Sequence, residues 1–196
     1  QFRITTAPVC DADWENNWKQ YYEPLEIGER LLVVPEWIDC SEEGRVPLRL
    51  DPGLLFGTGS HATTRMCLAA LEKYAGAGVR ALDLGCGSGI LGIGALVLGS
   101  EHCTACDIDP KAPDTVMENA ALNGIGGDKM QVYAGDIIGD AKLRKLLGSG
   151  YDVVLANIVS DVIIPLAPFV RGFMAPGGVF ITSGIIDGRE DEVAAA

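Results

Sequence analysis

Positive charge is scarce in this 196-residue chain: 15 lysines and arginines stand against 27 aspartates and glutamates, a formal charge of -12 at pH 7. Such a balance repels nucleic acid phosphates, so no direct nucleic acid binding is expected; it suits basic partners such as lysine-rich proteins, but is foremost the acidic balance common to many cytosolic bacterial proteins. Long apolar runs are also missing. The longest, Ile90 to Leu98, is broken by glycines and too short to cross a bilayer, and no basic region followed by an apolar stretch opens the chain as a signal peptide would. The expectation is a cytoplasmic, monomeric protein without a membrane partner. Regular cysteine spacing is absent as well: Cys10, Cys40, Cys67, Cys86, Cys103 and Cys106 are scattered and read as free thiols. Cys103 and Cys106 form a C-x-x-C, but they lie in an extended apolar stretch, where residues three apart point to opposite faces. Redox and zinc chemistry are therefore not expected there, and no metal site is anticipated.

What the chain does have is apolar content for a proper core, 48% of its residues, and a rhythm of alternating strands and helices. Residues 1–50 lack that rhythm and read as a lead-in. Trp14, Trp18, Tyr21 and Tyr22 recur there at helical spacing, and Leu31 to Val34, closed by Pro35, and Val46 to Leu50 read as strands. Residues 51–196 read as one nucleotide-binding domain. Helical periodicity starts at Thr63, with Cys67, Leu68, Leu71 and Tyr74 on one face and Gly76 and Gly78 ending it. Strands are expected at Val79 to Leu84, Cys103 to Cys106, Met130 to Ala134, Val153 to Ala156 and Val179 to Thr182. Between them come helices at Ile90 to Leu98, Pro110 to Asn123, Ala141 to Leu147 and Ile163 to Met174, and a last one begins in DEVAAA. This order implies an α/β, Rossmann-like, doubly wound and mostly parallel sheet, with its ligand site at the carboxyl ends of the strands near the switch point.

The sharpest segment is Asp83-Leu84-Gly85-Cys86-Gly87-Ser88-Gly89, where the first of these strands turns into its helix. Glycines there let the backbone pass close to a ligand. Gly87, Gly89 and Gly92 also satisfy G-x-G-x-x-G, the fingerprint of dinucleotide domains. Asp83 argues against that reading, because a carboxylate at the end of a central strand needs a polar or cationic partner and would repel a pyrophosphate. The amino and sulfonium groups of S-adenosylmethionine offer positive charge; capping of backbone amides in the turn is the structural alternative. Asp107, ending the second strand, stands where an acid reaches ribose hydroxyls. Asp109, just before Pro110, reads as a helix cap. Asp136, after the third strand, is placed for the adenine edge or simply forms a turn.

Two segments speak to chemistry. Leu155-Ala156-Asn157-Ile158 sets an amide at the end of the fourth strand, able to orient an incoming nitrogen without carrying charge, or else to cap the next helix. Upstream, Phe56-Gly57-Thr58-Gly59-Ser60-His61-Ala62-Thr63-Thr64 is a loop that can fold over a ligand and offer backbone and hydroxyl donors to a carboxylate, with Thr63 and Thr64 equally readable as a helix start. His61 is a candidate proton acceptor, although a lone loop histidine more often makes a structural hydrogen bond.

Together these residues resemble the PrmA family, the methyltransferases of large-subunit ribosomal protein L11. The shared pattern comprises the Asp51-Pro52-Gly53 turn, the Phe56 to Thr64 loop, the Asp83 to Gly89 turn continuing into Ile90-Leu91, Asp107-Ile108-Asp109-Pro110, and Ala156-Asn157-Ile158. Asp13-Trp14, Trp18, the run Gly28 to Leu31, and Pro35-x-Trp37 are similar to the family's interdomain segment. The resemblance implies a class I methyltransferase using S-adenosylmethionine and no metal, with Thr64, Gly85, Asp107 and Asn157 contacting the cofactor and Phe56, Gly57 and Thr58 lining its pocket. Leu55, Ala62 and Pro113 depart from the usual pattern. It also implies that the amino-terminal substrate-recognition domain and the final strands lie outside this chain. The expected reaction is attack by a neutral lysine or terminal amine of the ribosomal protein on the sulfonium methyl, with S-adenosylhomocysteine leaving. A related enzyme acting on another protein lysine or a small molecule is the second reading; a nicotinamide-binding oxidoreductase or a noncatalytic nucleotide-binding module is the third.

Overall fold

The computed structural model describes residues 23–39, 44–51 and 61–196. Three short strands come first: β1 Leu25–Ile27, β2 Leu31–Pro35 and β3 Val46–Leu50. There follow α1 Ala62–Leu71, β4 Arg80–Leu84, α2 Ile90–Val97, β5 His102–Asp107, α3 Ala112–Leu122, β6 Met130–Ala134, α4 Ala141–Leu147, β7 Tyr151–Asn157, α5 Ser160–Phe173, β8 Met174–Ser183 and α6 Glu190–Ala195. The five later strands form one parallel sheet in the order β6-β5-β4-β7-β8, the doubly wound arrangement expected from the alternating pattern. Its strand order reverses between β4 and β7, which places the switch point beside the glycine turn.

The alternation of side chains along each strand builds two cores. Ala81, Cys103, Ala105, Val153 and Leu155 face α1, α2 and α3, whereas Leu82, Leu84, Cys106, Val154 and Ala156 face α4 and α5. Cys103 and Cys106 thus lie in different cores, as their spacing requires. Tyr151 breaks the alternation: it belongs with Val154 rather than Val153, because the β7–β8 pairing slips between Tyr151 and Val153. Its hydroxyl is satisfied there by Leu147 O at 2.5 Å and Thr104 Oγ1 at 2.9 Å.

Strands β1–β3 form a second sheet whose Ile27, Leu31, Val33, Leu48 and Leu50 enter the same apolar cluster as α1 to α3. Polar groups fasten it at two points. Asn123 exchanges two hydrogen bonds of 2.8 Å with the backbone of Arg49, acting as a further strand along β3, and Asn119 accepts from the amide of Asp51 at 2.9 Å. At the other end, the Glu72 carboxylate accepts the amides of Glu29, Arg30 and Leu31, each at 2.9 Å. An acid at the C-cap of α1 opposes the helix dipole, so this nest of donors is what accounts for its position.

Several boundaries differ from the sequence expectation. Tyr74 lies beyond the end of α1 and is 44 % exposed, because the helix stops at its Glu72 cap rather than running on to Gly76. Helix α3 starts at Ala112, so Pro113 falls in the first turn, where no intrahelical donor is needed. Asp109 accepts the Lys111 amide in a turn before that helix and is not its N-cap. Helix α5 begins three residues earlier than Ile163, at Ser160. Among the described residues no helix is long and apolar enough to cross a membrane.

Burial pushes the Glu72 carboxyl up, but the three amides and the Arg30 guanidinium pull it further down, to a net position below its ordinary range. A lowered carboxyl stabilises the fold above its unfolded pKa and loses that effect as pH falls through the folded value. Glu72→Gln is expected to lower stability by about 1 kcal/mol at neutral pH, a figure discounted for solvent screening of this site. Chemical denaturation of both proteins should show the gap closing as the medium is acidified; a gap that persists under acid would assign the effect to packing instead.

Candidate cofactor site

A cavity of about 600 Å³ opens at the carboxyl ends of β4, β5 and β7. Its wall brings together Asp83, Gly85 and Gly87 of the glycine turn, Asp107, Asn157 and His61, six of the residues singled out from sequence. A smaller compartment of about 300 Å³ adjoins it, sharing Gly85, Asp107, Ile158 and Val162 and bounded further by Ile108, Asp136, Ile137 and Ile138. Phe56, Gly57 and Thr58 lie outside the described residues, as do Trp14, Trp18, Tyr21 and Tyr22 of the lead-in.

The turn is shaped by its neighbours. Gly85 has φ +70, and a Cβ there would stand 2.5 Å from Cγ2 of Ile158, so only glycine suits both the backbone and the crossing of the segment after β7. Gly92 admits no side chain either, since its Cβ would meet Cys103 Sγ at 2.8 Å and Asp83 Oδ2 at 3.2 Å. That closeness lets the Gly92 amide donate to Asp83 Oδ2 at 2.8 Å. From the next strand, Asp107 accepts the Gly87 amide through Oδ2 at 2.8 Å and the Asp109 amide through Oδ1 at 2.9 Å. Both carboxylates therefore bond backbone of the turn or its helix, which realises the capping alternative for Asp83.

Asn157 donates from Nδ2 to Thr64 Oγ1 at 2.9 Å, and Thr64 is fully buried behind it. The amide thus has its nitrogen committed to α1, and it does not cap α5, whose N-cap is Val159. His61 is the N-cap of α1: its Nδ1 accepts the Thr63 amide at 3.4 Å and stands 2.7 Å from the Thr63 hydroxyl. Asp136 accepts the Ile138 amide at 2.9 Å, forming a turn at the edge of the smaller compartment. Arg144 steadies the same loop by donating to the carbonyls of Ile137 and Ile138.

Asn119 escaped the sequence reading. It is 2 % exposed, accepts from Asp51 and donates to Ser88 O at 2.9 Å, so one amide ties the end of β3 to the glycine turn. Its only sequence signal is the repetition of asparagine four residues on, at Asn123, on a helix face that is otherwise apolar.

No lysine or arginine lines either compartment among the described residues, while Asp83, Asp107 and Asp136 do. Asp83 is 1 % exposed. Burial pushes its carboxyl up, the Gly92 amide pulls it back in part, Asp107 pushes it up again, and the result is about 7. The thiols of Cys67, Cys86 and Cys103 are raised by burial first and by Asp83 second, and so stay neutral.

A parallel sheet of this order with its cavity at the switch point has the Rossmann-like fold of class I methyltransferases. The chain belongs to the ribosomal protein L11 methyltransferase (PrmA) family, whose model matches residues 1–196. It is 46% identical over 196 residues to the ribosomal protein L11 methyltransferase of Lachnospira eligens, and 43% identical over 188 residues to that of Pseudomonas aeruginosa. These matches take in 98% and 96% of this chain but 61% of each relative, so the chain spans about three fifths of the curated relatives' length. The crystal structure of a ribosomal protein L11 methylase from Lactobacillus delbrueckii subsp. bulgaricus superposes with a TM-score of 0.78 at 30% identity, covering 89% of this chain and 86% of that one. A TehB-like SAM-dependent methyltransferase from Corynebacterium glutamicum, 20% identical, shares the fold at a TM-score of 0.50 over 66% of this chain and 70% of its own.

The Asp83 carboxyl has a stability consequence of definite sign. Its folded value of about 7 exceeds the ordinary 3.8, so between these pH values the unfolded chain ionises first and the fold loses stability as pH rises. Asp83→Asn, which can still accept from Gly92, is expected to raise the melting temperature of the unliganded chain at pH 8 more than at pH 5. Parallel melting curves for the two proteins across that range would contradict it.

Proposed function

We propose that the two compartments hold S-adenosylmethionine and that the chain is the cofactor-binding part of an enzyme methylating amines of ribosomal protein L11. The observation that carries this reading is a glycine turn walled by carboxylates and by no described lysine or arginine. A pyrophosphate needs free backbone donors and positive charge; here the Gly87 amide is already given to Asp107. An adenosyl amino acid with a cationic sulfonium and an ammonium suits the same wall. The names of the family and its relatives support the methyltransferase activity and the ribosomal substrate.

In this reading Asp107 takes the ribose hydroxyls, Asp136 meets the adenine edge, and Ile108 and Ile137 supply apolar contact for the base. Gly85 and Gly87 let the backbone approach the ligand, and the family resemblance adds Phe56, Gly57 and Thr58, outside the described residues, to the pocket's lining. When bound, the cofactor supplies a methyl group already activated by its sulfonium. What the chain adds is alignment and exclusion of water by Ile158, Val159 and Val162. Asn157, its nitrogen held by Thr64, presents a carbonyl oxygen that can accept from an N–H of the incoming amine. That amine must be neutral, since an ammonium has no lone pair, and His61 at the cavity wall is the imidazole nearest that task.

Calorimetry should detect S-adenosylhomocysteine binding and none for NAD; binding of NAD alone would overturn the reading. Asp107→Ala should weaken S-adenosylhomocysteine about tenfold or more, through loss of hydrogen bonds worth ~1.5 kcal/mol, and unchanged affinity would remove Asp107 from the site. With labelled methyl donor and a ribosomal extract, the protein containing this chain should label ribosomal protein L11. Label on another protein instead would favour a related methyltransferase of different substrate.

A further inference from the structure

Asp83 is a buried acid that no lysine or arginine among the described residues neutralises. Its one hydrogen bond among the described residues is the Gly92 amide to Oδ2, and it lines the larger compartment. The ion pairs of the described residues, Arg45 with Glu26 and Arg189 with Asp161 and Glu192, do not involve it. The groups that face it are Asp107 from β5, which adds like charge, and the neutral thiols of Cys67 from α1, Cys86 from the turn and Cys103 from β5. His61 shares the cavity wall. An ionised carboxylate in such a place carries an uncompensated charge, a costly state in a buried site. In the empty cavity the acid therefore retains its proton up to about neutrality, consistent with its value of about 7. A ligand that brings a cation changes the balance, because the opposite charge favours the ionised form.

We propose that occupation of the cavity is proton-linked: Asp83, buried on its wall with one amide partner, surrenders its proton to solvent as a ligand bearing an ammonium enters. The O–H bond of the carboxylic acid breaks, the proton passes to buffer, and the carboxylate pairs with the ligand's ammonium; no electron transfer or other co-reactant is involved. The inference rests on the reading of the cavity as an S-adenosyl amino acid site. Asp83 then does two things with one group: it holds the turn through Gly92 and tests the charge of what enters.

The test is calorimetric titration of this chain with S-adenosylhomocysteine, which carries the ammonium, in pairs of buffers of different ionisation enthalpy from pH 5.5 to 8. Release of about one proton per ligand is expected at the acid end and almost none at pH 8, with affinity falling about tenfold per pH unit well below 7. Asp83→Asn should abolish both effects, whereas His61→Asn, which removes the imidazole of the wall, should keep them. Binding without proton release in the native chain overturns the proposal while leaving the cofactor reading intact, and needs no variant to fold. Release that persists in Asp83→Asn, or vanishes in His61→Asn, also overturns it. Absence of S-adenosylhomocysteine binding at every pH would remove the cofactor reading and this proposal with it.

Discussion

The site depends on two carboxylates from neighbouring parallel strands holding one stretch of backbone. Asp83 ends its role as a strand residue by accepting from Gly92 in α2, and Asp107 reaches from β5 to the Gly87 amide. These bonds cross the gap where β4 turns into its helix, a place with few donors and acceptors of its own kind. The Gly85 and Cys86 amides turn toward Cys106 O of β5 as well, so the turn is fastened to the adjacent strand by backbone and side chain together. Parallel pairing of β4 with β5 is what brings Asp107 within reach, and the conformation open to Gly85 is what lets the chain reverse there. Remove either, and the cavity loses a wall.

Around that point the structure is arranged so that both sheets act on the site. The small β1–β3 sheet lies far from the ligand wall in sequence, yet Asn119 joins the Asp51 amide at its end to Ser88 O in the turn. The segment that follows Asp51 carries the Phe56 to Thr64 motif, and its far end is anchored by the His61 cap and by Thr64 beneath Asn157. A buried amide with both ends satisfied is more costly to displace than an apolar contact of equal area, because a partner left behind stays unsatisfied. Polar ties therefore add to the shared apolar packing of β3 and α1 in setting the mutual position of Asp51 and His61.

The strands and helices around the sheet were legible because burial on both sides of a parallel sheet imposes a period that single residues do not disturb. The residues of the cavity wall were legible for a different reason: glycines and acids at strand ends have few structural uses, so Gly85, Asp83 and Asp107 stand out. What escaped was everything held by side chain to backbone bonds between distant segments. Asn119, Asn123 and Glu72 join residues 31 to 74 positions apart, and a lone polar residue in a helix carries no periodic signal of such a partner. Strand β1, three residues long, was missed because it contains no full alternation. Asp109 misled for a related reason: an aspartate before proline suits a cap, and the helix starts later because Lys111 and Ala112 first close a turn on Asp109.

The unliganded wall is not optimised for the unliganded protein. Asp83 meets like charge from Asp107, and no described lysine or arginine lines either compartment to hold it ionised; an arginine on that wall would do so at once. Such a cation would also occupy the charge that a cationic ligand has to meet, and the cavity would then favour anions. Nor can the turn's own amides do the neutralising, since Gly87 and Gly92 each have one N–H and both are spent on these same acids. Among the described residues nothing pairs with an ionised Asp83, so its counter-charge arrives with a ligand of the right sign, and selectivity here is a deficit built into the wall and not a contact added to it.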